Sequence, residues 1–256
     1  MKITRHEDTE KGEALEYLLE QKFEIVNPSY TKFYVDVFKT EEDASKFLDK
    51  MLPKKEKFDV YGNKEEISLA CYLLKNKRVN IVAVLDSIND LFEENNIDYA
   101  LSEEIAHMDK AKDFKKMNKL REHYWKMFIE KQYNTKLDPH ESQAGYIITD
   151  LFFELNAVDL LDERGLIEGA FNTFISSKEK YEKGEVPTSF TKPAIYYFVQ
   201  KNIKDKNRAE SIKKIQDLFW DKTPMLNKEN IRKVIEDVVD KKLYKSHKEL
   251  ADYLLV

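Results

Sequence analysis

Hydrophobic residues recur at helical spacing along most of this chain, and strand-like patterns are confined to the N-terminal part. The segments 23–26 and 33–38 are rich in β-branched and aromatic residues, and an Asn-Pro-Ser sequence between them is typical of a turn. The pattern predicts a β-hairpin, with Asp36 on the same face as the aromatic residues two positions away. Predicted helices flank the hairpin, so residues 1–62 are expected to form a small α+β unit.

From Asn63 onward the spacing predicts helix almost throughout. One helix begins near Ser102, and another begins at the sequence Asp138-Pro139, which combines an N-cap with a first-turn proline. Further helices are predicted over 166–182, 192–203, 207–220, 228–242 and 247–255. The expected fold class is mainly α, an irregular multi-helix bundle over residues 63–256 that follows the α+β unit. Residues 183–189 combine glycine, proline and small polar residues, which makes them a candidate hinge.

Composition removes several classes of protein from consideration. Only six glycines and six prolines occur in 256 residues, which leaves little material for the glycine-rich loops that bind phosphate. No dinucleotide-binding, Walker A, zinc-protease or nucleophile-elbow motif occurs, so no catalytic residue is assigned and no cofactor is expected. A single cysteine, no signal peptide and no membrane-spanning apolar run together predict a cytoplasmic protein that does not associate with a membrane.

Charge is arranged in alternating blocks that the net value of -5 conceals. The net charge is -6 over residues 1–100, +2 over 101–135, -6 over 136–187 and +5 over 188–256. Such blocks either attract each other within the fold or present separate surfaces to partners. The sequence pattern is compatible with both explanations.

One predicted helix, around residues 110–131, carries five basic side chains on a single face, here called the basic stripe. Its members are Lys112, Lys116, Lys119, His123 and Lys126. The first hypothesis is a non-enzymatic interaction or regulatory protein whose helical domain docks a macromolecular partner, expected to be a protein. The alternative is association with nucleic acid through the basic stripe and the C-terminal block, since lysines on one face can follow phosphates. A solvated or internally paired helix face would give the same sequence pattern.

The last hypothesis is a metal-dependent enzyme. Glu104 and His107 are three positions apart, which places both on one face of a helix, as in carboxylate-bridged metal sites. Asp150, Glu154 and His140 on the following predicted helix are the further candidate ligands. A second Glu-x-x-His sequence is absent, and acidic residues in a first helical turn are also favoured by the helix dipole alone.

Overall fold

A computed structural model describes most of the chain and divides it into two compact units, residues 1–114 and residues 115–256. The described residues are 2–26, 34–52, 69–74, 79–88, 97–111, 144–186, 191–223 and 228–255.

The first unit combines four described strands with helices. Its elements are β1 (Lys2–Arg5), α1 (Glu10–Val26), β2 (Tyr34–Phe38), α2 (Glu41–Met51), β3 (Leu69–Leu73), β4 (Val79–Val84) and α3 (Ile97–Ala111). The strands form one sheet in the order β1-β2-β4-β3, in which β1, β2 and β4 are parallel and β3 runs antiparallel to β4. Strand β2 therefore has a parallel neighbour on each side.

The predicted hairpin is wrong in its pairing. Residues 23–26 form the last turn of α1, because Phe23 and Val26 continue the buried stripe of Leu15 and Leu19 at helical spacing. The segment after the turn is a strand, but it pairs in parallel with β1 and β4.

The predicted helix after Asn63 is wrong for two segments, Leu69–Leu73 and Val79–Val84, which are strands. Both are apolar runs of five or six residues, a length at which periodicity does not separate a buried strand from a helix. The second run is rich in β-branched residues, which favours the strand. The predicted boundary at residue 62 falls between strands of one sheet, after β2 and before β3 and β4.

Helix α2 covers one face of the sheet. Thr40 caps this helix, since its hydroxyl accepts a hydrogen bond from the Asp43 amide at 3.3 Å, and the sequence predicts a helix start at this point. The apolar side of α2 joins a buried cluster with the sheet, formed by Phe38, Ala44, Leu48, Leu52, Leu74, Val82 and Val84. Phe38 and Val84 lie at the carboxyl ends of their strands, so the cluster reaches that edge of the sheet.

The second unit is helical throughout its described part. Its elements are α4 (Ala144–Glu163), a short 3₁₀ helix (Ile167–Gly169), α5 (Ala170–Glu182), α6 (Thr191–Asn202), α7 (Lys206–Lys222), α8 (Lys228–Asp240), a second 3₁₀ helix (Leu243–Lys245) and α9 (His247–Leu255). Asp205 caps α7 with hydrogen bonds from the amides of Asn207 and Arg208. Gly165, with a φ of 72°, follows the end of α4. The mainly α fold with a small N-terminal unit of strands and helices is confirmed.

His247 makes the stability of the second unit dependent on pH. Its ring is buried beside Phe152, with centroids 5.4 Å apart, and this burial lowers the pKa of His247 to about 4. The unfolded chain, with an ordinary histidine pKa of about 6.5, therefore takes up the proton first as the pH falls. The stabilising contribution is complete above pH 6.5 and is lost progressively between about pH 6.5 and pH 4.

Between pH 7.5 and pH 4, the free energy of unfolding should fall in both the wild type and His247→Gln. We expect the fall to be larger in the wild type, by up to about 3 kcal/mol. Urea unfolding of both proteins at a series of pH values measures this difference. Parallel pH profiles for the two proteins would contradict the assignment to His247.

Lys242 adopts a left-handed backbone conformation, with a φ of 52°, two residues after the end of α8. Glycine is favoured at such a position because a Cβ atom is strained there. Lys242→Gly relieves this strain, but glycine also gives the unfolded chain more conformational freedom, which opposes folding. The net effect should be a rise of about 0.5–1 kcal/mol in the free energy of unfolding. Lys242→Ala is the control in urea unfolding, since alanine keeps the strain, and an equal gain in both variants would refute this explanation.

Candidate functional site

Three polar side chains lie side by side on the α2 face of the sheet, here called the polar diagonal: His6, Asp36 and Asn80. Nε2 of His6 lies 2.8 Å from Oδ1 of Asp36, and Nδ2 of Asn80 donates a hydrogen bond to Oδ2 of Asp36 at 2.5 Å. The Asp36 carboxylate of β2 therefore uses both oxygens, one for Asn80 of β4 and one for His6, the residue that follows β1.

The strand register brings these residues together. Arg5 pairs with Val37, so His6 follows β1 beside the end of β2, while Asn80 pairs with Tyr34. Residues two positions apart on neighbouring strands are diagonal neighbours, close enough for long or polar side chains to meet. The alternation in the sequence correctly predicts that Asp36 shares the face of Tyr34 and Phe38.

Burial of the polar diagonal carries a desolvation cost that hydrogen bonds must offset. Only 8% of Asp36 and 1% of Asn80 is exposed. A carboxylate taken out of water is costly unless hydrogen bonds replace its hydration, and here two donors do so. The hydrogen bonds from His6 and Asn80 therefore stabilise an aspartate inside a central strand, where valine or isoleucine is usual.

Packing and hydrogen bonding together orient the His6 ring. The ring stacks on Phe38 with centroids 4.1 Å apart and an angle of 9° between planes, and Phe47 approaches at 5.8 Å. A carboxylate only accepts hydrogen bonds, so Nε2 of His6 carries a proton and donates it to Asp36. With 36% of its side chain exposed, His6 combines a fixed ring orientation with access to solvent.

Sequence reasoning misses the polar diagonal because its members are far apart in the chain. His6 and Asp36 are 30 positions apart, and Asp36 and Asn80 are 44 apart. The available signal is a polar residue inside each of two apolar runs, Tyr34–Phe38 and Val79–Val84. The second run carries this signal only once it is recognised as a strand.

The predicted metal ligands are only partly described. In α3, Nδ1 of His107 lies 3.7 Å from Oε2 of Glu104, so these two side chains face each other as their spacing predicts. Asp150 and Glu154 lie on α4 in the other unit, and His140 lies outside the described residues. The metal-site hypothesis stays a prediction.

The predicted basic stripe, Lys112, Lys116, Lys119, His123 and Lys126, lies outside the described residues. The C-terminal block lies largely within them, and several of its cations form ion pairs inside the second unit. Lys201 pairs with Asp240 at 2.5 Å, and Lys241 pairs with Asp237 at 3.1 Å. Internal pairing therefore accounts for part of the charge in this block.

Buried polar groups in the second unit hold α4 against the second 3₁₀ helix. Asn156 donates hydrogen bonds of 2.7 Å to the carbonyl oxygens of Phe152 and Tyr244. The Tyr244 hydroxyl donates to Oδ1 of Asp159 at 3.1 Å, and Lys245 forms an ion pair with the same carboxylate. Burial raises the pKa of Tyr244 to about 12, so its hydroxyl remains a donor at ordinary pH. These groups perform a structural task.

Comparison with known proteins identifies no relative: no family model, curated protein or solved structure matches this chain. Among the described helices, none has the length and apolar character needed to cross a bilayer. Function must therefore be argued from the residues of this chain.

Replacing Asp36 should cost more than replacing His6. Asp36→Ala leaves the buried Asn80 amide without its acceptor, and we expect a loss of about 2–3 kcal/mol in the free energy of unfolding. His6→Ala removes one partly exposed donor and should cost about 1 kcal/mol. Urea unfolding at pH 7.5 measures both, and equal losses would contradict the central role of the carboxylate. Nitrogen-15 NMR of the wild-type ring should also show the proton on Nε2 of His6.

Proposed function

We propose that this chain is a non-enzymatic interaction protein whose helical domain docks a macromolecular partner, a protein, through the basic stripe. The proposal rests on the hydrogen bonds that buried polar side chains make within the second unit. Asn156, Asp159 and Gln216 each bond to other parts of the same unit. The described interior thus stabilises a scaffold, and recognition is left to surface side chains.

The buried tyrosine pair of the second unit supports the same interpretation. The hydroxyl groups of Tyr181 and Tyr196 lie 2.7 Å apart, which joins α5 to α6. Burial raises the pKa of both groups, so neither hydroxyl is prepared to lose its proton. This arrangement suits a rigid helical support better than a site for proton transfer.

A face of regularly spaced cations gives such a scaffold a means of selecting a partner. The basic stripe places five basic positions along about 21 Å of predicted helix, at 1.5 Å per residue. Cations on one face accelerate and orient the approach of an acidic surface. Nucleic acid is the alternative partner, because phosphates satisfy the same cations. A metal-dependent enzyme based on Glu104 and His107 is the third hypothesis.

Reversing the charge of the basic stripe should abolish docking. We expect the full-length variant K112E/K116E/K119E to retain less than about a tenth of the partner captured by the wild type, because three attractions become repulsions. The measurement is quantitative affinity capture from nuclease-treated lysate, with partner stoichiometry near one to one for the wild type. The matched control is K178E/K180E/K183E, which makes the same charge change at exposed positions at the end of α5.

Three results would redirect the proposal. Equal capture by the triple variant would remove the basic stripe as the docking surface. Material that disappears on nuclease treatment, with an affinity that falls steeply with salt, would favour nucleic acid. Stoichiometric bound metal, with thermal stabilisation on adding that metal, would favour the metal-dependent enzyme.

A further inference from the structure

The chain leaves the neighbouring strands β1 and β2 on opposite faces of the sheet. Arg5, the last residue of β1, forms ion pairs with Glu13 at 3.1 Å and Glu16 at 3.3 Å, both on α1. The next residue, His6, points to the other face, where its ring centroid lies 5.8 Å from that of Phe47 on α2. Parallel neighbours followed by helices on opposite faces leave a crevice at their carboxyl ends, where open α/β sheets bind ligands. We call this place the strand-end crevice.

His6 lies at this crevice with one of its two ring nitrogens engaged. Nε2 donates its proton to Oδ1 of Asp36 at 2.8 Å, so Nε2 is not available to a ligand. The two nitrogens of an imidazole point in nearly opposite directions, and this bond therefore turns Nδ1 away from Asp36. Within the described part of the chain, Nδ1 has no hydrogen-bond partner. It is the atom of His6 that a metal ion can bind, displacing any proton it carries.

The contacts of His6 match those that support metal-binding histidines. Such a histidine almost always donates its second ring N–H to a carboxylate, a carbonyl or water, which orients the ring and makes the coordinating nitrogen more basic. Asp36 supplies this carboxylate, and Asn80 holds Asp36 in turn with a hydrogen bond of 2.5 Å. The stack on Phe38, with 9° between the planes, fixes the remaining rotation of the ring. The His6 ring is therefore oriented before any ligand binds.

The burial of Asp36 favours a binding role in addition to a structural one. Asp36 and Asn80 are both buried inside strands whose other residues are mostly apolar. Apolar residues of similar size are often as stabilising as a buried charged network, so packing alone does not explain an aspartate here. Polar residues that break the pattern of a strand interior are expected at functional sites. His6 is the member of the polar diagonal that reaches solvent, so a ligand would meet the network there.

A carboxylate of α2 lies on the same side of that helix as the contact with His6. Asp43 precedes Phe47 by four residues, so the two share one face of α2. Oδ2 of Asp43 accepts a hydrogen bond from the Thr40 hydroxyl at 2.7 Å, whereas Oδ1 lies 3.8 Å from Nζ of Lys46. Nearly half of the Asp43 side chain is exposed. An imidazole nitrogen and a carboxylate oxygen are ligands that suit Zn²⁺ and related ions.

We propose that Nδ1 of His6 and the carboxylate of Asp43 bind a divalent transition-metal ion of the Zn²⁺ class at the strand-end crevice. Asp36 is a positioning residue, because it contacts His6 and not the ion. Two protein ligands leave further coordination positions to water or to a bound molecule, so the ion should exchange readily. This site is distinct from the pair Glu104 and His107, and it does not depend on docking through the basic stripe.

Nitrogen-15 NMR of the full-length protein tests the coordination directly. Adding Zn²⁺ should shift the Nδ1 resonance of His6, assigned through its backbone resonances, while Nε2 keeps its proton. Isothermal titration calorimetry with Zn²⁺ then measures the affinity. We expect His6→Gln to weaken Zn²⁺ binding at least about tenfold, and Asp43→Asn about tenfold, since each removes one ligand. Asp36→Asn should also weaken it about tenfold, because the His6 ring loses its charged acceptor.

Matched variants separate this site from other metal-binding groups of the chain. His107→Gln removes the histidine of the pair with Glu104, and Asp49→Asn makes the same change as Asp43→Asn at another exposed position of α2. Neither variant should alter the Zn²⁺ affinity of the His6 site. Circular dichroism verifies that each variant is folded, and the NMR measurement on the wild type tests the proposal if a variant is not.

Several results would overturn the inference. His6 resonances that stay unchanged up to about 1 mM Zn²⁺ would do so, as would coordination through Nε2. Equal affinity in Asp43→Asn and the wild type would contradict the two-ligand site. Binding lost in His107→Gln but kept in His6→Gln would place the ion at α3 and favour the metal-dependent enzyme. Partner capture by K112E/K116E/K119E is a separate measurement, so this inference and the proposed function can fail independently.

Discussion

The first unit depends on a buried carboxylate that crosslinks three parallel strands. Asp36 sits inside the central strand β2, where its charge would be strongly destabilising without the donors on either side. Strand β1 is only four residues long and lies at the edge of the sheet, so few backbone hydrogen bonds hold it. The bond from His6 adds a side-chain attachment just beyond its end and favours the observed register, because a shift by one residue would put Arg5 or Glu7 in the position of His6.

In the second unit, buried polar side chains likewise hold a short element in place. The second 3₁₀ helix, Leu243–Lys245, is too short to be stable alone, and α4 holds it through Asn156 and Asp159. In both units a polar residue within an apolar segment fixes a short neighbouring element. Buried polar groups bonded in this way add specificity to the packing, and their removal leaves a partner unsatisfied.

The sequence predicts local features of this fold much better than contacts between distant segments. The helices of the second unit, the Thr40 cap and the face shared by Tyr34 and Asp36 all follow from spacing of a few residues. The parallel pairing of β1 and β2 does not, because α1 separates the two strands and the same apolar pattern suits either partner. The polar diagonal depends on this pairing, so His6 carries no recognisable signal until the sheet is known.

The alternating charge blocks have more than one physical outcome. In the second unit, Lys201 and Lys241 find carboxylates on α8, and such pairs need no external partner. Along α1, glutamates recur at three- and four-residue intervals on the exposed side of the helix, and Arg5 of the same unit pairs with Glu13 at 3.1 Å. Like charges at these intervals repel one another and destabilise an isolated helix, so the stability of α1 depends on its buried stripe and on such pairs.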